Sequence, residues 1–272
     1  MLKGKSVMVS RLFPFFHDNN MRPIEMDSGE RLAYSLNIRN PRSNDLVLIV
    51  HGTFCCRNDS IYVDLSENLQ FNSLRMDLIG SGNSEGEFSV GNYTGEVECI
   101  HRCVVWCREN GFEVVGLIGH SKGGNEVLMY AGIYSDVPAI VSLASRFDTS
   151  KTTPVFENIL EEVKSNGSHL LEWNGKKHLV TWKGLQEKYE LDMNEYCSKA
   201  LGNFLIVHGG KDKVIPTEDS TFIFNTLKVA SKRLEIFPQA DHMFTGHIPE
   251  ISALINDFLL AYFIYTDMLE SL

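Results

Sequence analysis

Six short apolar runs constrain the fold of this chain more than anything else in it. They are Leu46-Val47-Leu48-Ile49-Val50, residues 72–77, Val114-Val115-Gly116-Leu117-Ile118, Ala139-Ile140-Val141-Ser142-Leu143, Phe204-Leu205-Ile206-Val207-His208 and Leu234-Glu235-Ile236-Phe237. Most are unbroken rather than alternating, which suits strands of a parallel sheet covered on both faces. Between them lie stretches with helical spacing at 60–69, 93–109, 121–134, 218–230 and 251–269. The second is closed by Asn110-Gly111, a good helix stop. Strand and helix alternate, so the spacing predicts an α/β class with a mostly parallel sheet. Ahead of the first run, 23–26 and 31–37 flank Asp27-Ser28-Gly29-Glu30 and are expected to form an antiparallel hairpin.

A chain of 272 residues suits one such domain, 1–272, carrying an insertion. The insertion is expected at 150–200, where the rhythm breaks. This segment is rich in Lys, Glu and Asn, contains Trp173 and Trp182, and shows no buried strand. It falls between the fourth and fifth strands, and long excursions inside compact domains are usually functional. It is therefore expected to be a lid over the C-terminal edge of the sheet, the alternative being an ordinary surface excursion with one or two helices.

The formal net charge of −10 leaves no basic surplus to neutralise phosphates, so nucleic acid is not an expected partner. No stretch approaches the roughly 20 apolar residues of a membrane span. The apolar run after Met1-Leu2-Lys3-Gly4-Lys5 is too short for a secretory leader. The six cysteines (Cys55, Cys56, Cys99, Cys103, Cys107 and Cys197) are accordingly expected to be reduced in a cytoplasmic protein. Cys99, Cys103 and Cys107 share one helical face, where small packing residues are expected rather than a metal site. For Cys55 and Cys56 a reactive thiol and a plain loop residue are both open. A homodimer is compatible with such a chain.

The residues with chemistry fall at strand ends. Gly119-His120-Ser121-Lys122-Gly123 lies between a buried strand and a helix, and its glycines allow the sharp turn that lifts a serine hydroxyl above a sheet. A hydroxyl needs a base, and the base an orienting carboxylate. Asp212 follows the fifth run and His242 the sixth, giving the order Ser121, Asp212, His242. Asp148 after the fourth run and His247 before the last helix are the rivals. Asp241 adjoins the base but is poorly placed to orient it, and Asp219 is expected to face solvent or cap its helix. His51 and His208 are expected to hold loop backbones. The oxyanion hole is expected from the Lys122 amide and the Thr53 amide, with Phe54 as the alternative to Thr53. His120 and the Lys122 side chain are expected to pack or face solvent. Phe54, Trp173 and Trp182 are candidate substrate contacts.

Together with Asp77-Leu78-Ile79-Gly80-Ser81-Gly82 and His208-Gly209-Gly210-Lys211-Asp212, these motifs resemble the α/β-hydrolase superfamily, and more narrowly its cinnamoyl or feruloyl esterase-like and serine aminopeptidase-like members. The likeness runs from about residue 22 to 268. It implies the α/β-hydrolase fold, with about eight strands and helices on both faces. It also implies a carboxylic-ester hydrolase that needs no cofactor and acts on a small-molecule ester of small or medium acyl size. By position it carries over Ser121 as nucleophile, Asp212 as acid, His242 as base, and Thr53 with Lys122 as oxyanion donors. Peptidase, thioesterase or acyltransferase activity on the same residues is the alternative, as is a slow-turnover ligand-binding protein. For a peptidase, Glu161, Glu162 and Glu187 are the available amine-binding carboxylates.

Overall fold

The computed structural model describes residues 23–270. The stretch read as lacking a secretory leader lies outside them. Seven strands form the central sheet: β3 (Tyr34–Asn37), β4 (Asp45–Val50), β5 (Asn72–Met76), β6 (Glu113–His120), β7 (Ala139–Leu143), β10 (Asn203–Gly209) and β11 (Lys232–Phe237). Their order is β11-β10-β7-β6-β4-β5-β3, and every pairing is parallel except β3 with β5. Among the described residues the sheet has seven strands, against the expectation of about eight. The expected N-terminal hairpin divides in two. β1 (Ile24–Glu25) pairs with β2 (Arg31–Leu32), while β3 leaves to become the sheet's antiparallel edge.

Alternate residues of the buried strands feed two cores. Leu46, Leu48 and Val50 of β4 pack with α2 (Tyr93–Glu109), α3 (Lys122–Ile133), α7 (Met193–Lys199) and α8 (Glu218–Thr226). Val47 and Ile49 pack on the other face with α1 (Ser60–Asn68) and α9 (Ile248–Glu270). Burial on both faces is why these strands read as continuous apolar runs. Cys99, Cys103 and Cys107 are fully buried between α2 and the sheet, and all six cysteines are free thiols.

The 150–200 segment corrects the sequence reading. It holds α4 (Pro154–Glu157), α5 (Leu160–Asn166), the antiparallel pair β8 (Ser168–Trp173) and β9 (Lys176–Thr181), α6 (Trp182–Glu190) and α7. Its four helices and hairpin are more than the one or two helices of an ordinary surface excursion, and Val180 of the hairpin is fully buried. β8 and β9 are charged and half-exposed, so they lack the continuous apolar signature. Their turn was nevertheless legible. Asn174-Gly175, both with positive φ (49° and 72°), is the residue pair that closes two-residue hairpins. α7 belongs to the main core through Met193 and Cys197, so the excursion ends before it. What remains gathers a small separate core of Phe156, Ile159, Val163, Val180 and Leu185 over Phe54 and Val90.

Candidate active site

β4 is followed in the chain by β5 on one side, whereas β6 returns to its other side. Such a switch in winding opens a crevice at the C-terminal strand ends, where ligands bind in open α/β sheets. Gly52 follows β4 and Ser121 follows β6, so both stand at that crevice. The turn at Ser121 depends on close backbone packing. A Cβ on Gly119 would lie 2.0 Å from the Gly123 carbonyl oxygen, and one on Gly123 would lie 2.5 Å from that of His51. Ser121 itself is held at φ 55°, ψ −118°, a strained conformation for a residue with a side chain. Its amide is anchored on Leu143 O at 2.8 Å.

Three side chains from three strand ends then meet. His242 Nε2 lies 3.1 Å from Ser121 Oγ, and His242 Nδ1 lies 2.7 Å from Asp212 Oδ2. With Nδ1–H donating to the carboxylate, Nε2 is free to accept the serine proton. Asp212 Oδ1 accepts the amides of Val214 (2.7 Å) and Ile215 (2.9 Å). His208 Nε2 reaches both Ile215 O (3.0 Å) and Asp212 Oδ2 (3.1 Å), and its Nδ1 accepts from Ser220 Oγ. Burial opposes ionisation of Asp212. The hydrogen bonds from His208, His242 and the amides outweigh it and hold the carboxyl well below the usual carboxylate range.

A further chain of bonds wires these loops together. The Gly52 amide donates to Tyr62 Oη (2.8 Å), Tyr62 O–H donates to His120 Nδ1 (3.1 Å), and His120 Nε2–H donates to the His242 carbonyl (2.9 Å). Burial first, and then the neighbouring His242, push His120 down to about 3, so it stays neutral in this role. His120 was expected to pack or face solvent, and it is instead a buried connector. Tyr62 was missed altogether, because a tyrosine on an amphipathic helix carries no local signal of what its hydroxyl meets.

Lys122 is also a correction. Its side chain is only 5% exposed, with Nζ 2.5 Å from Glu96 Oε2, 3.8 Å from Glu126 Oε1 and 3.2 Å from Ser89 O. Glu126 is fully buried, and burial together with Glu96 raises its pKa well above the ordinary value. Lys122, Glu96 and Glu126 thus form a buried cluster beneath the turn. The Lys122 amide, at the first position of α3, has no intrahelical acceptor. The Gly52 and Cys55 amides are engaged, by Tyr62 Oη and Gly52 O, which leaves the Thr53 and Phe54 amides of that loop beside Ser121. Gly52 itself packs so close that an added Cβ would sit 3.1 Å from the Ser121 Cβ.

A cavity of about 820 Å³ opens over Ser121 and His242. Phe54 and Trp173 line it, and their rings lie 5.9 Å apart. Trp182 does not line it and packs instead beside the small insertion core, with Lys164 over its ring. Glu161, Glu162 and Glu187 do not line it either. They pair with Lys164, His169 and Lys183 on the surface. The rivals to the acid and base are occupied elsewhere. Asp148 takes Ser150, Asp241 takes the Met243 and Thr245 amides, and His247 packs beside Phe237. Asp219 is buried, not solvent-facing, and accepts the Phe147 amide. His51 holds the Leu78 amide through Nε2, as expected of a loop-holding histidine. Burial raises the Cys55 thiol to about 12, which favours the plain loop residue over a reactive thiol.

A family model described as the alpha/beta hydrolase fold matches residues 45–175. Comparison by sequence with curated proteins returns no match. Among solved structures, the chain is similar to ferulic acid-bound Est1E from Butyrivibrio proteoclasticus, with 21% identity, a TM-score of 0.71, and 88% of this chain and 98% of that one covered. It is similar to mouse alpha/beta hydrolase domain-containing protein 10, with 18% identity, a TM-score of 0.69, and 89% and 99% covered. It is also similar to a monoacylglycerol lipase from Paleococcus ferrophilus, with 21% identity, a TM-score of 0.65, and 85% and 98% covered. With its sheet order, its serine at the turn after β6, this family match and these structural likenesses, the chain has the α/β-hydrolase fold.

Proposed function

We propose that the protein is a serine hydrolase that cleaves carboxylic esters of small or medium acyl size through an acyl-enzyme on Ser121. The observation that carries this reading is the continuous hydrogen-bond line from Ser121 Oγ through His242 to Asp212, at the floor of a cavity at the switch point. Ser121 Oγ attacks the ester carbonyl while His242 Nε2 takes its proton. The oxyanion is met by the Lys122 amide and the Thr53 amide, with Phe54 as the alternative donor, and the N-terminal end of α3 adds partial positive charge. His242 then returns the proton to the leaving alkoxide. A water deprotonated by His242 attacks the acyl carbon and frees the acid. Asp212 stays ionised throughout and stabilises the imidazolium.

Residues 150–191 serve as a lid that shapes the cavity, with Phe54 and Trp173 as apolar substrate contacts. Structural neighbours support the same chemistry, since one is an esterase from Pyrococcus furiosus, another is a monoacylglycerol lipase, and Est1E is solved with ferulic acid. An aminopeptidase reading loses support because Glu161, Glu162 and Glu187 lie away from the cavity. Six free thiols favour a cytosolic setting. Among the described residues no helix is long and apolar enough to cross a membrane. The test is Ser121→Ala assayed on p-nitrophenyl esters, with fluorophosphonate labelling of the wild type. Hydrolysis should vanish and the label should map to Ser121. Full activity in the variant would refute the assignment.

A further inference from the structure

The cavity above Ser121 is mostly apolar, yet two cations are buried in its wall. Arg146 follows β7 and is 6% exposed, and Lys188 on α6 is 5% exposed. Neither has an ion-pair partner among the described residues. Arg146 Nη2 donates to Val214 O at 2.8 Å, and its buried Nε has no hydrogen-bond partner. Asp219 feels the Arg146 charge but is turned to the Phe147 amide and makes no ion pair with it. Lys188 Nζ donates to Thr149 O (2.8 Å) and Lys151 O (3.0 Å), which leaves one of its three donors without a hydrogen bond, with the Tyr189 ring centre 4.6 Å from Nζ. Thr153 contributes a third unmet group to the same wall, a buried Oγ1 with no partner.

Buried charge without a counter-ion is costly and is normally paired or neutralised. The nearby Lys122 obeys this rule, with Glu96 and Glu126 around it. Arg146 does not, although its position is closely fixed. Asn125, one turn along α3 from Ser121, bonds both the Arg146 amide (3.0 Å) and the Arg146 carbonyl (2.6 Å). The guanidinium also touches the loop that carries Asp212. It is therefore held in place in the wall of the cavity that holds Ser121, with its buried Nε free to donate. Burial first, and then Arg146, push Lys188 down to about 7 against the opposing charge of Asp148, so Arg146 is the constant charge of the pair and Lys188 a partial one at neutral pH. That suits a singly charged anion, and the planar guanidinium matches a carboxylate. Glu172 and Asp59 also border the cavity. Asp59 is tied to the Cys56 amide, and Glu172 is solvent-exposed on the hairpin.

We propose that Arg146, Lys188 and Thr153 Oγ1 form a carboxylate-binding subsite in the cavity that holds Ser121, so that the substrate is an ester bearing a free carboxylate, of the kind given by a half-ester of a dicarboxylic acid. The inference rests on the ester-hydrolase reading above. Hydrolysis converts the half-ester and one water into the diacid and an alcohol. The carboxylate stays on Arg146 while Ser121 exchanges with the alkoxide at the other end.

Calorimetric binding to the Ser121→Ala protein tests this without turnover. Monomethyl esters of succinic, glutaric and adipic acid are compared with the matching dimethyl esters. At least one half-ester should bind about tenfold tighter than its diester or better, about 1.4 kcal/mol. That preference should disappear with Arg146→Met and fall with Lys188→Met. Thr153→Val, an isosteric change that spares the fold, should lower it about threefold, a difference of about 0.6 kcal/mol. A purely structural Arg146 would weaken both esters in parallel and leave their ratio intact. Equal binding of every half-ester and its diester, or a preference that survives all three substitutions, overturns the subsite. Tighter binding of propyl phosphate than of any half-ester overturns the carboxylate assignment. Wild-type hydrolysis of p-nitrophenyl butyrate is measured alongside. Its absence overturns the ester-hydrolase reading, whereas hydrolysis without any half-ester preference overturns the subsite alone.

Discussion

The strand-end site and the 154–190 excursion are built on different terms. At the site, position comes from backbone contact. Gly119 and Gly123 let main chains approach where a single Cβ would clash, Gly52 packs tightly against Ser121, and Ser121 is held strained by the sheet around it. In the excursion, position comes from a core of a few side chains, among them Phe156, Val163, Val180 and Leu185. Its outer face leaves Leu170 and Leu179 about half exposed. The first region tolerates almost no change of shape, while the second is held by a modest apolar area and can vary. In this molecule the part that would set reaction type is rigid, and the part that would set substrate choice is loosely anchored.

Four experiments would break or sharpen that contrast. The largest effect should come from Asp212→Asn, which keeps the shape but removes the charge that orients His242. A loss of about 10⁴-fold in kcat on p-nitrophenyl esters is expected, with KM little changed. The same variant reports on acid stability. The folded Asp212 carboxyl sits below its unfolded value of about 3.9, so its contribution is fully present above that pH and is lost as pH falls through the folded value. The denaturation difference between wild type and variant should therefore shrink from pH 6 to pH 3. A constant difference would detach the shift from the hydrogen bonds named here.

Next in size, Leu185→Ala should cost about 2–5 kcal/mol of local stability in the excursion. Hydrogen exchange should rise across 154–190 while β6 and β10 stay protected. Uniform loss of protection would mean that the two regions fold as one unit. Smaller still, Trp173→Ala should raise KM for long-chain or aromatic p-nitrophenyl esters about tenfold with kcat nearly unchanged. An equal fall in kcat would place Trp173 in the chemistry rather than in the wall. Finally, Cys55 should resist iodoacetamide in native protein at pH 8 and react once the chain is denatured, since burial holds its thiol near 12. Native labelling detected by mass spectrometry would contradict that.

The same contrast explains what could be read in the sequence. Leu46 to Val50, Ala139 to Leu143 and Phe204 to His208 announce themselves because both their faces are buried. Ser121 and Asp212 were legible because each follows such a strand, and His242 because it follows the edge strand β11, since strand ends are where the fold brings residues together. The hairpin β8–β9 was not, since one face is wet and its residues are mixed in charge. Only Asn174-Gly175 marked it. The buried Lys122 read as a surface residue because its partner Glu96 is distant in sequence, and tertiary pairing leaves no trace in local pattern. Tyr62 and Arg146 escaped for the same reason.

The bond line from the Gly52 amide through Tyr62 and His120 to the His242 carbonyl has a consequence for how this chain can change. Three loops from distant parts of the sequence share one set of protons, so substitutions in them should not add independently. A replacement at Tyr62 alters what His120 can tolerate, and His120 in turn limits the backbone of His242. Divergence in these loops is therefore concerted, and a library that varies one while freezing the others will undercount the sequences that preserve the site.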